Sequence, residues 1–156
     1  MINLIAIDKI VPNFIAVTTD DKTIQLIDYI GKNVVLYFYP KDSTPGCTQE
    51  AQDFRDNYAQ FVALNTAIFG VSRDSLKSHN NFKCKQQLPF DLISDSDETL
   101  CQLFDVLKMK NMYGKKAIGI ERSTFLINKE GVLIHEWRKV TVAGHCLNVL
   151  EKIDAI

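Results

Sequence analysis

The sequence has no excess of charge of either sign and no long apolar run. Its 18 basic and 19 acidic residues give a formal net charge of −1 and are interspersed, which argues against a nucleic-acid partner. No apolar stretch approaches the roughly 20 residues that a membrane-spanning helix needs. Residues 1–8 lack a basic region and are interrupted by Asn3 and Asp8, so we expect no secretory signal.

Cysteine and histidine are also scarce, and they are dispersed. The sequence has four cysteines with long spacings, which is too few for a disulfide scaffold, and three histidines that form no cluster. We therefore expect no metal or other cofactor and a cytoplasmic location, where a disulfide is transient and catalytic rather than structural. The positions are Cys47, Cys84, Cys101 and Cys146, and His79, His135 and His145.

The length and the hydrophobic pattern predict one α/β domain over residues 1–156. Hairpins are expected near the start and the end, and strand 34–39, helix 47–64 and strand 66–72 form a βαβ unit with parallel strands. Residues 108–119 are expected to be irregular, with a turn at Tyr113-Gly114. The result is a mixed central sheet with helices on both faces. The other predicted strands are 13–19, 23–26, 90–94, 122–127 and 132–137, and the other helices 75–87, 98–104 and 142–153.

Cys47 is the residue whose position points to chemistry. The apolar strand 33–39 stops at Pro40, Pro45 and Gly46 are expected to form the turn, and helical spacing follows. Cys47 therefore lies near the first turn of a helix, where free N–H groups and the helix dipole favour a thiolate. Such sites lower a thiol pKa from roughly 8.5 by one to several units. The alternative is a small buried hydrophobic residue.

The predicted helix 75–87 differs from the other helices because it has few large apolar residues. Leu76, Phe82 and Leu88 do not form a continuous stripe, so the helix buries little surface and gains little tertiary support. We expect it to unfold locally at low free-energy cost.

The segment around Cys47 resembles a known active site. The pattern Pro40-x-x-x-Thr44-x-x-Cys47-x-x-Glu50 is similar to the peroxiredoxin motif. Residues 37–48 resemble the bacterioferritin comigratory protein (peroxiredoxin Q) branch, and the similarity covers almost the whole chain. It implies a thioredoxin-like fold, a monomer, and a thiol-dependent peroxidase for hydrogen peroxide and organic hydroperoxides.

The resemblance gives roles to individual residues. Cys47 attacks the peroxide and Pro40 shields its thiolate from water. From its place three residues before Cys47, Thr44 can fold its hydroxyl back towards the sulfur, and the alternative is a turn or cap residue. The N–H groups of Gly46 and Cys47 are candidate donors to the peroxide.

An arginine completes the site that the resemblance implies. Arg122, which opens the predicted strand 122–127, lies beside the thiolate and stabilises both the thiolate and the leaving oxygen. Glu50 orients either Arg122 or Arg55. From the residues alone, Arg122 is equally well explained as a solvated strand end.

A second thiol has to resolve the sulfenic acid that forms on Cys47. Many members of the branch carry it five residues later, but here that position is Gln52. Cys84, in the weakly packed helix, matches a second subset and is the expected partner, while Cys101 and Cys146 are expected in the core. Because a disulfide needs Cα atoms within about 7 Å, we expect the start of the Cys47 helix and part of the Cys84 helix to unwind on oxidation.

Other functions stay open at this point. A one-cysteine peroxidase would use an external thiol in place of Cys84, and thioredoxin or a similar dithiol protein is the expected reductant of a disulfide form. A non-catalytic redox sensor or holdase would show no peroxide-dependent loss of thiol. A disulfide oxidoreductase of the thioredoxin type is disfavoured because the sequence has no Cys-x-x-Cys pair.

Overall fold

A seven-stranded mixed sheet forms the centre of the chain in the computed structural model, which describes residues 4–156 apart from the side chain of Met112. Residues 1–3, part of the segment considered as a secretory signal, lie outside the described residues. The strand order is β2-β1-β5-β4-β3-β8-β9. The strands are β1 Ile15–Thr18, β2 Lys22–Gln25, β3 Asn33–Phe38, β4 Thr66–Ser72, β5 Asp91–Ser94, β8 Ser123–Ile127 and β9 Leu133–Trp137.

The pairing of these strands confirms the predicted topology. β3, β4 and β5 run parallel, as the βαβ unit requires. β1 pairs antiparallel with β2, and β8 with β9, so both predicted hairpins are present. β8 also pairs antiparallel with β3, which brings the start of β8 to the edge where β3 ends.

The prediction of one helix over residues 47–64 was wrong. The chain forms α1 Pro45–Asp56 and α2 Tyr58–Ala63, separated at Asn57, whose side chain donates to the Asp53 carbonyl at 2.8 Å. Pro45 and Gly46 lie in the first turn of α1 and not in a preceding turn, because proline is well suited to the first helical position. The remaining helices are α3 Leu76–Gln86, α4 Thr99–Leu103 and α5 His145–Asp154.

Helices cover both faces of the sheet, and alternate residues of β3 are buried in two separate cores. Val35 and Tyr37 face α1, α2, α3 and α5. Leu36 and Phe38 face the opposite side, where α4 packs. Tyr37 lies so close over Gly70 that a Cβ there would come within 2.7 Å of its ring. This contact requires glycine at that position of β4.

Residues 107–120 form a second, two-stranded sheet, so the prediction of an irregular segment was wrong. β6 Leu107–Met112 pairs with β7 Lys115–Ile120 through a turn at Tyr113 and Gly114, both with positive φ (54° and 79°). Two consecutive residues with positive φ make the hairpin turn that suits the strand twist. The ladder is largely exposed and lysine-rich, so the hydrophobic pattern did not indicate it.

Within residues 4–156, no helix has the length and apolar character that a bilayer crossing requires.

Candidate active site

Cys47 lies in the first turn of α1, at the end of the sheet where β3 stops. Thr44 is the N-cap, and the first helical hydrogen bond runs from the Thr48 N–H to the Thr44 carbonyl at 2.9 Å. Since Pro45 has no N–H, the free donors of this turn are those of Gly46 and Cys47. The thiol is buried, with 1 % of the residue exposed. The structure therefore places the sulfur where the sequence predicts it.

Arg122 reaches the sulfur from the neighbouring strand. Phe38 at the end of β3 pairs with Ser123 at the start of β8. Arg122, which directly precedes Ser123, therefore lies beside the N-terminus of α1. Arg122 Nη2 is 3.4 Å from Cys47 Sγ. A Cβ on Gly46 would lie 3.2 Å from the same nitrogen, so glycine leaves room for the guanidinium.

Glu50, one turn after Cys47, holds the other side of Arg122. Its Oε1 accepts from Arg122 Nη1 at 2.6 Å, and the Glu50 side chain is 2 % exposed. This settles the sequence alternative in favour of Arg122, because Arg55 instead donates to the Gln86 carbonyl. Burial raises the pKa of Glu50 to about 7 and outweighs the opposing effect of Arg122.

Thr44 and Pro40 border the site without a direct hydrogen bond to the thiol in the described part of the chain. The Thr44 hydroxyl donates to the Lys41 carbonyl at 2.8 Å, across the loop that precedes α1. Pro40 is half-buried and follows the last buried tyrosine of the β3 segment, Tyr39.

The four cysteines are free thiols in different environments. Cys84 is exposed on α3, whereas Cys101 and Cys146 are buried in opposite cores, as the sequence predicts. Burial and then Asp53 raise the pKa of Cys146 to about 12, and burial and then a hydrogen bond with Asp95 raise that of Cys101. Both core cysteines are therefore held as thiols.

The helix that carries Cys84 is anchored by a group that sequence reasoning missed. His79 is fully buried on α3, its Nδ1 lies 2.7 Å from Asp42 Oδ2 and its Nε2 lies 2.9 Å from the Ile93 carbonyl. Asp42 also accepts from the Tyr39 hydroxyl at 2.6 Å and from Ser78 at 2.8 Å. His79 therefore joins α3 both to the loop before α1 and to β5.

Asp42, Asp74 and His79 also have potential metal-ligand atoms within 4.8 Å of one another. These atoms already bond within the protein, since Asp74 Oδ2 accepts from Ser72 at 2.6 Å and from the Asp42 N–H at 2.9 Å. The cluster is thus accounted for as a polar connection between the Cys47 loop and α3. Its members are 5 to 37 positions apart, and no spacing motif signals it.

Comparison with known proteins identifies the family. Residues 7–136 match the AhpC/TSA family. The chain is 54% identical to peroxiredoxin Bcp of Bacillus subtilis, over 85% of this chain and 84% of that protein. It is 56% identical to peroxiredoxin Bcp of Xanthomonas campestris, over 81% and 79%. The chain belongs to the peroxiredoxin family.

Solved structures of peroxiredoxins have the same fold as this one. Peroxiredoxin Q of Xanthomonas campestris superimposes with a TM-score of 0.87 at 51% identity, covering 91% of this chain and 90% of that one. A mutant of PrxQ from Xylella fastidiosa gives a TM-score of 0.92 at 43% identity, covering 98% of both chains. The expected thioredoxin-like fold is confirmed.

Proposed function

We propose that this peroxiredoxin is a thiol-dependent peroxidase in which Cys47 reduces hydrogen peroxide and organic hydroperoxides. The observation that carries the proposal is the buried Cys47 sulfur, 3.4 Å from an Arg122 guanidinium that Glu50 holds in place. A permanent cation next to a buried thiol favours the thiolate, which is the nucleophilic form. The Xanthomonas campestris bacterioferritin comigratory protein, 50% identical and described by its alkyl peroxide reduction activity, supports the substrate class.

The reaction on Cys47 is a displacement at oxygen. The thiolate attacks one peroxide oxygen, a sulfur–oxygen bond forms as the oxygen–oxygen bond breaks, and an alkoxide or hydroxide leaves and takes up a proton. Arg122 and the N–H groups of Gly46 and Cys47 stabilise the charge on the leaving oxygen. Thr44 aligns the peroxide once its hydroxyl turns from Lys41, and Pro40 limits access of water.

Cys84 is the proposed resolving residue. Its exposed thiol condenses with the Cys47 sulfenic acid to form a disulfide and release water. The two thiols start in different environments, one buried and one exposed. We infer that the first turn of α1 and part of α3 unwind, and equal amide exchange over residues 75–90 in the reduced and oxidised protein would contradict this inference.

The proposal extends to the surroundings of the enzyme. We infer a cytoplasmic monomer whose disulfide is reduced by thioredoxin or a similar dithiol protein. Four cysteines with long spacings, too few for a disulfide scaffold, agree with a reducing compartment. The alternative is a one-cysteine peroxidase reduced by an external thiol, and the exposure of Cys84 favours the first route.

Peroxide consumption by three cysteine variants tests the proposal. Cys47→Ser should abolish turnover, while Cys84→Ser should react once and stop at the sulfenic acid. Cys101→Ala, on the opposite face of the sheet, is the control and should keep turnover. Intact mass under non-reducing conditions reports the disulfide. Retained turnover in Cys47→Ser would overturn the peroxidase assignment, and sustained turnover of Cys84→Ser with a small thiol would favour the one-cysteine route.

A further inference from the structure

The carboxyl group of Glu50 has a buried oxygen atom that makes no hydrogen bond within the described residues. Oε1 accepts from Arg122 Nη1 at 2.6 Å, but within the described residues the buried Oε2 has no hydrogen-bond partner. The other guanidinium nitrogen, Nη2, faces Cys47 Sγ at 3.4 Å. One cation therefore contacts two buried acids, a carboxyl through Nη1 and a thiol through Nη2.

Burial limits how much negative charge these two acids carry together. With both ionised, the three groups hold one net negative charge in a site where Cys47 is 1 % exposed and the Glu50 side chain 2 %. Like charges in a buried site disfavour the form in which both acids are ionised. With either acid protonated, the cluster with Arg122 is neutral.

Within the described structure, the titratable groups packed around Glu50 do not include a second cation. Burial and then Glu50 raise the pKa of Tyr37 on β3 well above its usual range, so this hydroxyl stays neutral. Cys146 on α5 is held as a thiol. Asp53, the next carboxylate along α1, opposes ionisation of Glu50.

Two more titratable groups face the other members of the cluster. His145 on α5 has its pKa lowered to about 4, by burial and then by Arg122, and is neutral near pH 7. Lys110 on β6 interacts with Arg122 and Cys47, and its pKa is lowered by burial and then by Arg122. This lysine interacts with the thiol and not with Glu50, so Arg122 is the cation that stabilises the ionised Glu50 carboxylate.

We propose that Cys47 and Glu50 share a single proton across Arg122. The reduced site then interconverts between a thiol with a carboxylate and a thiolate with a carboxylic acid. The two groups titrate as a coupled pair and not as independent acids. This equilibrium does not depend on peroxide, whereas its use in catalysis rests on the proposed peroxidase function.

The shared proton completes the reaction of the thiolate form. Cys47 thiolate takes one oxygen of the peroxide as the oxygen–oxygen bond breaks, which gives the neutral sulfenic acid and an alkoxide. The alkoxide gains a proton as the Glu50 carboxylic acid becomes a carboxylate. Sulfur is oxidised, the peroxide oxygen is reduced, and the sum is thiol plus hydroperoxide giving sulfenic acid plus alcohol. Glu50 is thus a positioning residue for Arg122 that also holds a proton.

Titration midpoints in the Cys84→Ser background test the sharing directly. Ultraviolet absorbance follows the Cys47 thiolate, and carbon-13 carboxyl shifts follow Glu50. The two midpoints are measured in the parent, and each acid is measured alone, Cys47 in Glu50→Gln and Glu50 in Cys47→Ser. If the proton is shared, the sum of the two parent midpoints should exceed the sum of the two single-acid midpoints by at least about one pH unit. Equal sums would overturn the proposal.

Two further variants serve as a control and as a replacement reference for the titration. Asp53→Asn removes a carboxyl from the same helix, and the summed midpoints of Cys47 and Glu50 should still exceed the single-acid values. Loss of this excess in Asp53→Asn would also count against the proposal. If Glu50→Gln does not fold, Glu50→Met supplies the neutral reference of similar size.

The peroxide reaction supplies a second readout that a purely structural role would not change. Sharing predicts a rate constant that rises and then falls with pH, because the reactive form carries one proton on the pair. In Glu50→Gln the rate constant should rise with pH to a plateau and not fall again. A bell-shaped profile in that variant would contradict the proposed use of the shared proton in catalysis. A Cys84→Ser protein that does not react with peroxide at all would refute the peroxidase function while leaving the titration result valid.

Discussion

The two thiols proposed to form the disulfide lie in regions that are stabilised by different means. Cys47 is in the apolar core beside β3, where the sulfur, Arg122 and Glu50 are fixed by burial and short contacts. Cys84 is exposed on α3, a helix that buries only His79 and Phe82. The proposed nucleophile is thus fixed by its buried surroundings, whereas its proposed partner is carried by a helix with little apolar support.

The polar cluster of Asp42 and His79 connects these regions. Asp42 belongs to the loop between Pro40 and Thr44, and His79 is in the middle of α3. Apolar scarcity alone suggested that α3 opens easily, but opening it also separates the buried contact between Asp42 and His79. The comparison teaches that buried polar contacts with the Cys47 loop, and not apolar packing alone, hold the helix that carries Cys84.

His79→Ala is expected to have the largest effect. The substitution leaves a cavity at a fully buried position and removes a hydrogen-bond partner of Asp42, which together cost about 3–5 kcal/mol. Native-state amide exchange over residues 76–86 should accelerate accordingly, and the Cys47–Cys84 disulfide should form faster. His145→Ala, a buried histidine on α5, is the control, and equal protection of α3 in the two variants would contradict the role of the cluster.

Arg122→Met is expected to have the second largest effect, on the rate at which Cys47 reacts with peroxide. Loss of a donor that stabilises developing negative charge typically lowers a rate by about 100–1000-fold. Stopped-flow measurement of the Cys47–peroxide reaction checks this value. Arg138→Met is the matched control, since Arg138 lies over Phe125 in the opposite core. Similar rates in the two variants would remove Arg122 from the proposed mechanism.

The stability of the rigid region should depend on pH through Glu50. Its pKa is raised from 4.5 to about 7 in the folded protein, so the unfolded chain releases this proton first and stability falls as pH rises between these values. At about 1.4 kcal/mol per pH unit the loss is at most about 3 kcal/mol. Denaturant unfolding of Cys47→Ser with and without Glu50→Gln isolates this contribution, and a pH-independent difference would disprove it.

Ser75→Ala is expected to have the smallest effect and to act on α3 alone. The Ser75 side chain accepts from the Ser78 N–H at the helix start. Loss of such a cap costs about 1 kcal/mol, so exchange in the first turn of α3 should rise about fivefold. The exposed Ser96 provides a neutral control as Ser96→Ala. No change in α3 would mean that its N-terminal turn does not limit opening.

Much of the fold follows from the sequence because buried strands leave a clear pattern. The apolar runs that became β3 and β4 predicted the parallel pair and the helix between them. The hairpin of residues 107–120 was missed because its ladder is exposed and gains little from burial. The Asp42–His79 pair was missed because it joins side chains from separate elements, which periodicity does not encode. Arg122 was placed through the resemblance, since a lone arginine before a strand carries no signal of its own.

The contrast between one exposed and three buried cysteines gives the molecule an internal set of probes. In the described structure Cys84 is exposed on α3, whereas Cys47, Cys101 and Cys146 are buried on α1, α4 and α5. Mass spectrometry of thiol labelling would thus follow four helices without any added dye or mutation. Modification of Cys84 reports the folded surface, whereas modification of Cys47, Cys101 or Cys146 reports opening of the helix that carries it.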